Sequence, residues 1–252
     1  MKELPDKSVD MILCDLPYGT TCNKWDSVIS LDLLWEQYKR IIKDNGAIVL
    51  TAQVPFNIVL GSSNLSMLRY EWIWEKNNIT GFLNAKKMPL KKHENILVFY
   101  KELPTYNPQM ERTENIVNGG VRFGNSSNYG KQTPYEQNNN GETYPKDILK
   151  FGYDKEKLHP TQKPVALFEY LIKTYTNENE VVLDNCMGSG TTCVACINTN
   201  RKYIGFELNE EYFNIVEKRI EKTKLLKEKP YLTESKIETT ITGQITLDNF
   251  LK

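Results

Sequence analysis

The chain has no run of about eighteen apolar residues, so a membrane-spanning helix is not expected. It has no excess of either charge, 32 basic residues standing against 32 acidic ones. That balance excludes a non-specific coat for polyanions, but it leaves room for positive charge gathered in one place. Histidine is scarce. His93 and His159 are the only two, far apart and without a cysteine or acid constellation, so no metal site is expected. Five cysteines, with no apolar leader, make an odd number that argues against a disulfide framework and for a reduced, cytoplasmic setting. Cys193 and Cys196 form a C-x-x-C without a second pair of ligands, and core packing is their expected role.

What the chain does contain is organised around Val181-Val182-Leu183-Asp184-Asn185-Cys186-Met187-Gly188-Ser189-Gly190-Thr191-Thr192. A β-branched run ends on an acid, turns through two glycines and opens a helix, which is the context that a nucleotide-type cofactor requires. Gly188 and Gly190 are expected to allow tight dihedrals and close ligand approach. About twenty residues on, Lys202-Tyr203-Ile204-Gly205-Phe206 reads as a strand that ends in Glu207, placed to accept hydrogen bonds from ribose hydroxyls. Far upstream, the apolar strand Met11-Ile12-Leu13-Cys14 delivers Asp15-Leu16-Pro17-Tyr18-Gly19 to a strand's carboxyl end, where open α/β sheets bind ligands.

Taken with Leu4 to Asp10, His93 to Phe99 and His159-Pro160-Thr161-Gln162-Lys163-Pro164, these motifs resemble the amino-group DNA methyltransferases that use S-adenosylmethionine. The arrangement is the one with the catalytic motif N-terminal and the cofactor motif C-terminal, and the resemblance covers most of residues 1–222. It implies a Rossmann-like, doubly wound, mainly parallel sheet. It further implies that Asp15, Leu16, Pro17 and Tyr18 are catalytic. Asp184, Cys186, Gly188, Ser189, Gly190, Thr191, Glu207 and Asn209 would hold the cofactor, with His159, Thr161, Gln162 and Lys163 against its methionine end. Double-stranded DNA is the implied substrate. The family's tetrapeptide usually has two prolines, and Leu16 replaces the first of them here.

Local patterns fill in the rest. Apolar spacing from Leu31 to Ile42 predicts a helix stopped by Asn45-Gly46, and Ala47 to Leu50 predicts a buried strand. Phe56 to Leu68 reads as a helix interrupted around Gly61-Ser62-Ser63, and Pro164 to Tyr175 as another with Pro164 in its first turn. Tyr70 to Trp74 and Ile96 to Tyr100 read as strands of a hairpin at one sheet edge, with Lys76 to Glu94 as a long connection. Lys86, Lys87, Lys91 and Lys92 in that connection are candidates for gripping DNA phosphates, although a solvated loop would look the same. Residues 1–103 thus form the catalytic half and 159–226 the cofactor half, closed by a charged helix from Glu210 to Leu226.

Between them, 104–158 is rich in Asn, Gly, Tyr and Gln, without helical period but with Tyr106, Phe123, Tyr129, Tyr135, Tyr144, Phe151 and Tyr153. Amides and aromatics without a core pattern suit an irregular target-recognition insertion that reads base edges. The family has a strand ahead of Leu4 ending in an acid at the adenine of the cofactor, and no such run precedes Leu4. In the tail, 227–252, Ile237 to Leu247 with Asp248 could fill that edge. Alternatively, 244–251 is similar to peptides that dock on replication sliding clamps, with a frayed end as the third reading. The sequence leaves a homodimer open.

The chemistry follows from the amine. Its lone pair is delocalised, so acceptors on both its hydrogens, Asp15 and the carbonyl of Leu16 or Pro17, are needed to aim that pair at the methyl group. A leading Asp favours N6 of adenine over N4 of cytosine in such families. Transfer to cytosine C5 needs a thiolate, and no cysteine follows Pro17. The competing class is a silent nucleic-acid-binding protein of the same fold.

Overall fold

The structure is a computed structural model that describes residues 1–19, 27–117, 119–122, 125–126, 130–131, 135–136, 139–156 and 158–230. The edge-strand and clamp-peptide readings of the tail therefore lie outside the described residues, as does Cys22. Two compact units are present, one made of Met1–Asn107 with Asp147–Lys252 and the other of Pro108–Lys146.

In the larger unit the chain runs β1 (Val9–Asp15), α1 (Leu31–Ile41), β2 (Ile42–Ala52), α2 (Phe56–Ser63), β3 (Leu68–Thr80), β4 (Lys91–Phe99), β5 (Ile148–Phe151), α3 (Val165–Tyr175), β6 (Val181–Asp184), α4 (Thr191–Asn198), β7 (Lys202–Gly205) and α5 (Glu210–Glu228). The seven strands form one sheet in the order β5-β3-β4-β2-β1-β6-β7. Pairing is parallel except where β4 meets β2 and β3.

Apolar residues in the central strands alternate between two cores. Ile12, Cys14, Ile48 and Leu50 face Leu34, Trp35, Tyr38 and Leu60 of α1 and α2. Met11, Leu13, Ala47 and Val49 face Leu167, Phe168, Leu171 and Ala195 of α3 and α4. A parallel sheet covered on both faces needs such continuous apolar runs, and the doubly wound architecture expected from the motifs is the one found. The tryptophans of β3 also anchor it. Trp72 Nε1 donates to the Tyr175 hydroxyl of α3 at 2.7 Å, and Trp74 Nε1 donates to the Phe151 carbonyl at 2.9 Å.

Several expected boundaries move. The helix from Phe56 ends at Ser63 rather than Leu68, and Pro164 precedes α3 as its extended N-cap residue instead of lying in the first turn. Lys91 and Lys92 belong to β4, because the β3–β4 ladder continues past its apolar part as an exposed arm, leaving only 81–90 as connection. The hairpin is not outermost. β5, expected within the insertion, pairs parallel with β3, and Leu149 is buried there with Phe151 and Tyr153 packed on the same core. Their aromatic character therefore serves packing. The closing helix runs two residues beyond Leu226, to Glu228.

Asn45-Gly46, expected to end α1, lies inside β2, which begins directly after the helix. The β1–β2 register shifts between Val9 and Met11, so this segment is an irregularity in the ladder. A Cβ on Gly46 would come within 2.7 Å of both the Asp10 carbonyl and the Ile42 side chain.

In the smaller unit, short antiparallel pairs nest within one another. Glu111–Arg112 pairs with Glu142–Thr143, Val121–Arg122 with Tyr135–Glu136, and Asn125–Ser126 with Gly130–Lys131. The Asn139 side chain accepts from Val117 N at 2.9 Å and donates to the Asn115 carbonyl, closing the ribbon's base.

Gly46→Ala is expected to cost about 1–3 kcal/mol through overpacking, while Asn45→Ala beside it should stay within about 0.5 kcal/mol, as urea unfolding of the two variants would reveal.

Candidate active site

The register Met11↔Val182 and Ile12↔Leu183 sets β1 and β6 side by side and parallel. From this pair the chain winds outward in opposite directions, to β2 on one side and β7 on the other, which makes their carboxyl ends the switch point where open sheets bind ligands. A cavity of about 750 Å³ opens there. Asp15, Leu16, Pro17 and Tyr18 line it from β1, and Asp184, Cys186, Gly188, Ser189 and Thr191 from the turn after β6. Glu207 and Asn209 after β7 complete the wall with His159, Thr161, Gln162 and Lys163.

Lining the cavity is not the same as facing a ligand, and hydrogen bonds separate the two. Asp184 is buried, with Oδ1 accepting from Cys186 N at 3.0 Å and Oδ2 from the Thr192 hydroxyl. It holds the turn's backbone. Burial pushes its carboxyl up to about 6, against the lowering effect of the Thr192 and Cys186 hydrogen bonds. Gln162 is committed at both ends: its Oε1 accepts from Leu158 N and Ser189 Oγ, while its Nε2 donates to Asp154 and the Glu156 carbonyl. The Asn209 side chain caps α5 by accepting from Tyr212 N at 3.1 Å. The His159 ring packs edge-on against Tyr212, with Nδ1 near the Thr161 hydroxyl at 3.0 Å.

The two glycines divide the work. Gly188, at φ +52°, has nothing among the described residues within 4 Å of where a Cβ would point, so its face is open to a ligand. Gly190, at φ +78°, does not line the cavity, which corrects the expectation that both glycines admit the ligand. A Cβ there would lie 2.8 Å from Val216 of α5, so the residue lets the closing helix approach.

Glu207 spans the turn, with Oε2 accepting from Gly188 N at 2.9 Å and Oε1 from Asn209 N at 2.8 Å. Each oxygen keeps a second acceptor position. The open Gly188 face and this two-oxygen acceptor fit a ribose-bearing cofactor.

On the other side, Asp15 Oδ1 accepts from the Tyr18 hydroxyl at 2.7 Å and from Thr51 Oγ1. Its Oδ2 accepts from Lys163 Nζ at 2.7 Å. Leu16 is buried in the α1–α2 core, which explains an apolar residue at that position. The Tyr18 ring stacks on Phe56, with centroids 5.3 Å apart. Of the four lysines, Lys86 and Lys87 are exposed beside the one-turn helix Phe82–Asn84, Lys92 pairs with Glu75 at 2.8 Å, and Lys91 reaches Gln53 at 3.5 Å. They stand on the arm and not in the cavity wall.

Sequence reasoning missed Thr51, Phe56, Lys76, Glu94, Asp154 and Arg219. Arg219 Nη1 donates to the Ser189 carbonyl at 3.0 Å, and Nη2 pairs with Asp154 at 3.5 Å, pinning the glycine turn from α5. No local signal marks an arginine inside a charged helix for such a role.

A doubly wound sheet whose switch point pairs a glycine turn with an Asp-Leu-Pro-Tyr loop offers a place for a ribose-bearing cofactor beside an acceptor carboxylate. Comparison with known proteins narrows this. A family model for DNA methylases, N6_N4_Mtase, matches residues 9–218. The chain belongs to the N6/N4 DNA methylase family. It is similar to the DNA adenine methyltransferase YhdJ of Escherichia coli (strain K12), at 28% identity over 236 residues that cover 88% of this chain and 79% of that one. Among solved structures, the M1.HpyAVI-SAM complex superposes with a TM-score of 0.58 at 27% identity, covering 86% and 90% of the two chains. The cytosine-N4-specific PvuII DNA methyltransferase gives 0.61 at 17% identity, covering 94% and 86%, a likeness of fold alone.

Two variants separate the glycines. Gly190→Ala should destabilise the fold by about 2–4 kcal/mol, from left-handed strain plus overpacking, and Gly188→Ala by only about 1–2 kcal/mol. The second should instead weaken S-adenosylmethionine binding in calorimetry. For Asp184 burial lifts the folded value to about 6, above the ordinary aspartate range, so the native state holds a proton that the unfolded chain has released between about pH 4 and 6. Stability from this group is therefore present at low pH and lost as pH rises through about 6. Asp184→Asn removes that loss, and its stability relative to wild type should rise by on the order of 2–3 kcal/mol between pH 4 and pH 8 in denaturant titrations.

Proposed function

We propose that this DNA methyltransferase modifies the N6 amine of an adenine extruded from a specific duplex site. The observation that carries the reading is the convergence of Asp15 and the Gly188 turn on one cavity, although 172 positions separate them in the chain. An acid leading the tetrapeptide supports adenine over cytosine.

The methyl donor is S-adenosylmethionine, which supplies an activated methyl group carried on a sulfonium. Glu207 would hold its ribose hydroxyls, and the open face of Gly188 would admit it. An amine inside a duplex cannot reach this cavity, so the base must leave the stack. Asp15 Oδ2 keeps one acceptor position after its bond to Lys163, and that position takes one amine hydrogen. The main-chain carbonyl of Leu16 or Pro17 takes the other. Held this way, the nitrogen lone pair points away from both acceptors and toward the donor side of the cavity. The proton that the amine must lose as it is methylated passes to Asp15. Tyr18, braced by Phe56, provides the ring against which the base rests.

Duplex binding falls to two other parts. Lys86 and Lys87, exposed on an arm with no carboxylate between Asn77 and His93, suit phosphate contacts. The ribbon of Pro108–Lys146 is the candidate reader of the target sequence, by its amide and aromatic content.

Digestion of methylated DNA to nucleosides is expected to give N6-methyladenine, whereas N4-methylcytosine alone would overturn the choice of base. Asp15→Asn should lower single-turnover methylation by about 10²-fold or more without loss of S-adenosylmethionine affinity. Replacing Lys86 and Lys87 together by Ala should weaken binding to every duplex alike and reduce the salt slope by about 1 per lysine lost.

A further inference from the structure

One wall of the cavity carries four charged side chains in alternation: Lys76 of β3, Glu94 of β4, Lys163 ahead of α3, and Asp15 at the end of β1. Lys76 Nζ lies 3.3 Å from Glu94 Oε1, Lys163 Nζ lies 3.3 Å from Glu94 Oε2, and Lys163 Nζ lies 2.7 Å from Asp15 Oδ2. The side chains of Lys76 and Lys163 are only 4% and 6% exposed, and that of Glu94 is 12% exposed. Withdrawing such charges from water costs several kcal/mol each, and an apolar replacement of a buried ionic group is often no less stable. Stability alone is thus a poor reason for this row.

The geometry suggests a different one. Among the described residues, Glu94 Oε2 faces Lys163 at ion-pair distance without accepting a hydrogen bond, and the one well-formed bond from the Lys163 ammonium goes to Asp15. With Tyr18 and Thr51 on Oδ1, the ammonium on Oδ2 fixes the carboxylate plane and leaves one acceptor direction open. We propose that Lys163 is a positioning residue for methyl transfer, acting through Asp15 rather than on the cofactor, and that Lys76 and Glu94 hold its ammonium in place. The inference rests on Asp15 being the acceptor of the substrate amine.

Burial alone would lower the Lys163 ammonium, but Asp15, Tyr18 and Glu94 outweigh it and hold the group well above the ordinary lysine value, so it remains a fixed cation. The groups that bear on the pair are Tyr18 after β1, Lys76 of β3, Glu94 of β4, Tyr153 after β5 and Asp184 of β6. Once the cation is removed, Asp15 Oδ2 loses its one donor among the described residues, and the carboxylate plane is held from the Oδ1 side alone. The proton lost by the amine has the same destination in both cases.

The test is single-turnover methylation of a duplex at saturating S-adenosylmethionine, with cofactor affinity measured on the same proteins. Lys163→Met should lower the rate by about 10²-fold with cofactor affinity unchanged. Lys163→Arg, which keeps the charge and a donor, should recover at least about tenfold of that loss. Should Lys163→Met not fold, Glu94→Gln serves in its place, with a smaller loss of rate and again no change in cofactor affinity. A rate within about twofold of wild type, a Lys163→Arg variant no better than Lys163→Met, or a loss that follows weaker cofactor binding would overturn the proposal. If Asp15→Asn is inactive while Lys163→Met is not impaired, the inference falls alone. If Asp15→Asn is fully active, the reading of Asp15 itself falls.

Discussion

The parallel pairing of β1 with β6 is the constraint on which the rest of the molecule depends. These strands lie far apart in the chain, and each ends in an acid, Asp15 and Asp184. Because the register sets Met11 against Val182, both acids emerge at the same edge of the sheet. Asp10 reinforces the pairing at its other end, accepting from Val181 N at 2.9 Å and holding Lys43 of β2 as well. A slip of one residue in this ladder would turn every side chain of β1 to the opposite core. The two buried clusters, which divide the β1 side chains between them, therefore act as the lock on the geometry of the site.

The two acids then have different fates, and burial decides which is which. Asp184 is sealed beneath its own turn, with both oxygens spent on the protein, and its raised carboxyl reflects that enclosure. Asp15 remains partly exposed, at 22% of its side chain, and faces an ammonium. The first acid gives shape to a loop and the second is left with something to offer a ligand. The same division runs through the remaining site residues. Gln162, Ser189, Thr191 and Arg219 bond to one another or to neighbouring main chain, and Gly188 and Glu207 are left with open capacity on the cofactor side. A site with most of its polar atoms already satisfied within the protein needs little reorganisation when a ligand enters.

Legibility in the sequence followed the range of the interaction. The strand-turn-helix around Gly188, the acid after β7 and the apolar period of α1 are local patterns, and the expected architecture came from them. What stayed hidden was set by contacts between distant segments. Asn45-Gly46 has the chemistry of a helix stop, yet it lies within β2 because Gly46 fits under the Asp10 carbonyl. Lys91 and Lys92 have the polarity of a loop, yet ladder hydrogen bonds carry β3 and β4 outward beyond the core. Ile148–Phe151 follows an irregular stretch and continues its composition, yet Leu149 completes the core at the sheet's end. Among the site residues, motif membership identified those that line the cavity but not what each one bonds to. It could not separate Gly188 from Gly190, or show that Lys163 faces Asp15.

A loop with leucine in place of proline keeps its geometry by packing and by hydrogen bonds from outside it. A proline would fix the backbone by its ring. Here the side chain of Leu16 is buried among α1 and α2 residues, so the loop is held by packing. The acid before it is held independently, by Thr51 from β2, Tyr18 from its own loop and Lys163 from the segment ahead of α3. Three donors from separate elements, each anchored in the sheet or packed on it, restrict a carboxylate more firmly than one rigid neighbour could. The departure from the usual tetrapeptide is thus compatible with a well-placed acceptor, since the orientation of Asp15 is determined by the walls of the cavity and not by the residue that follows it.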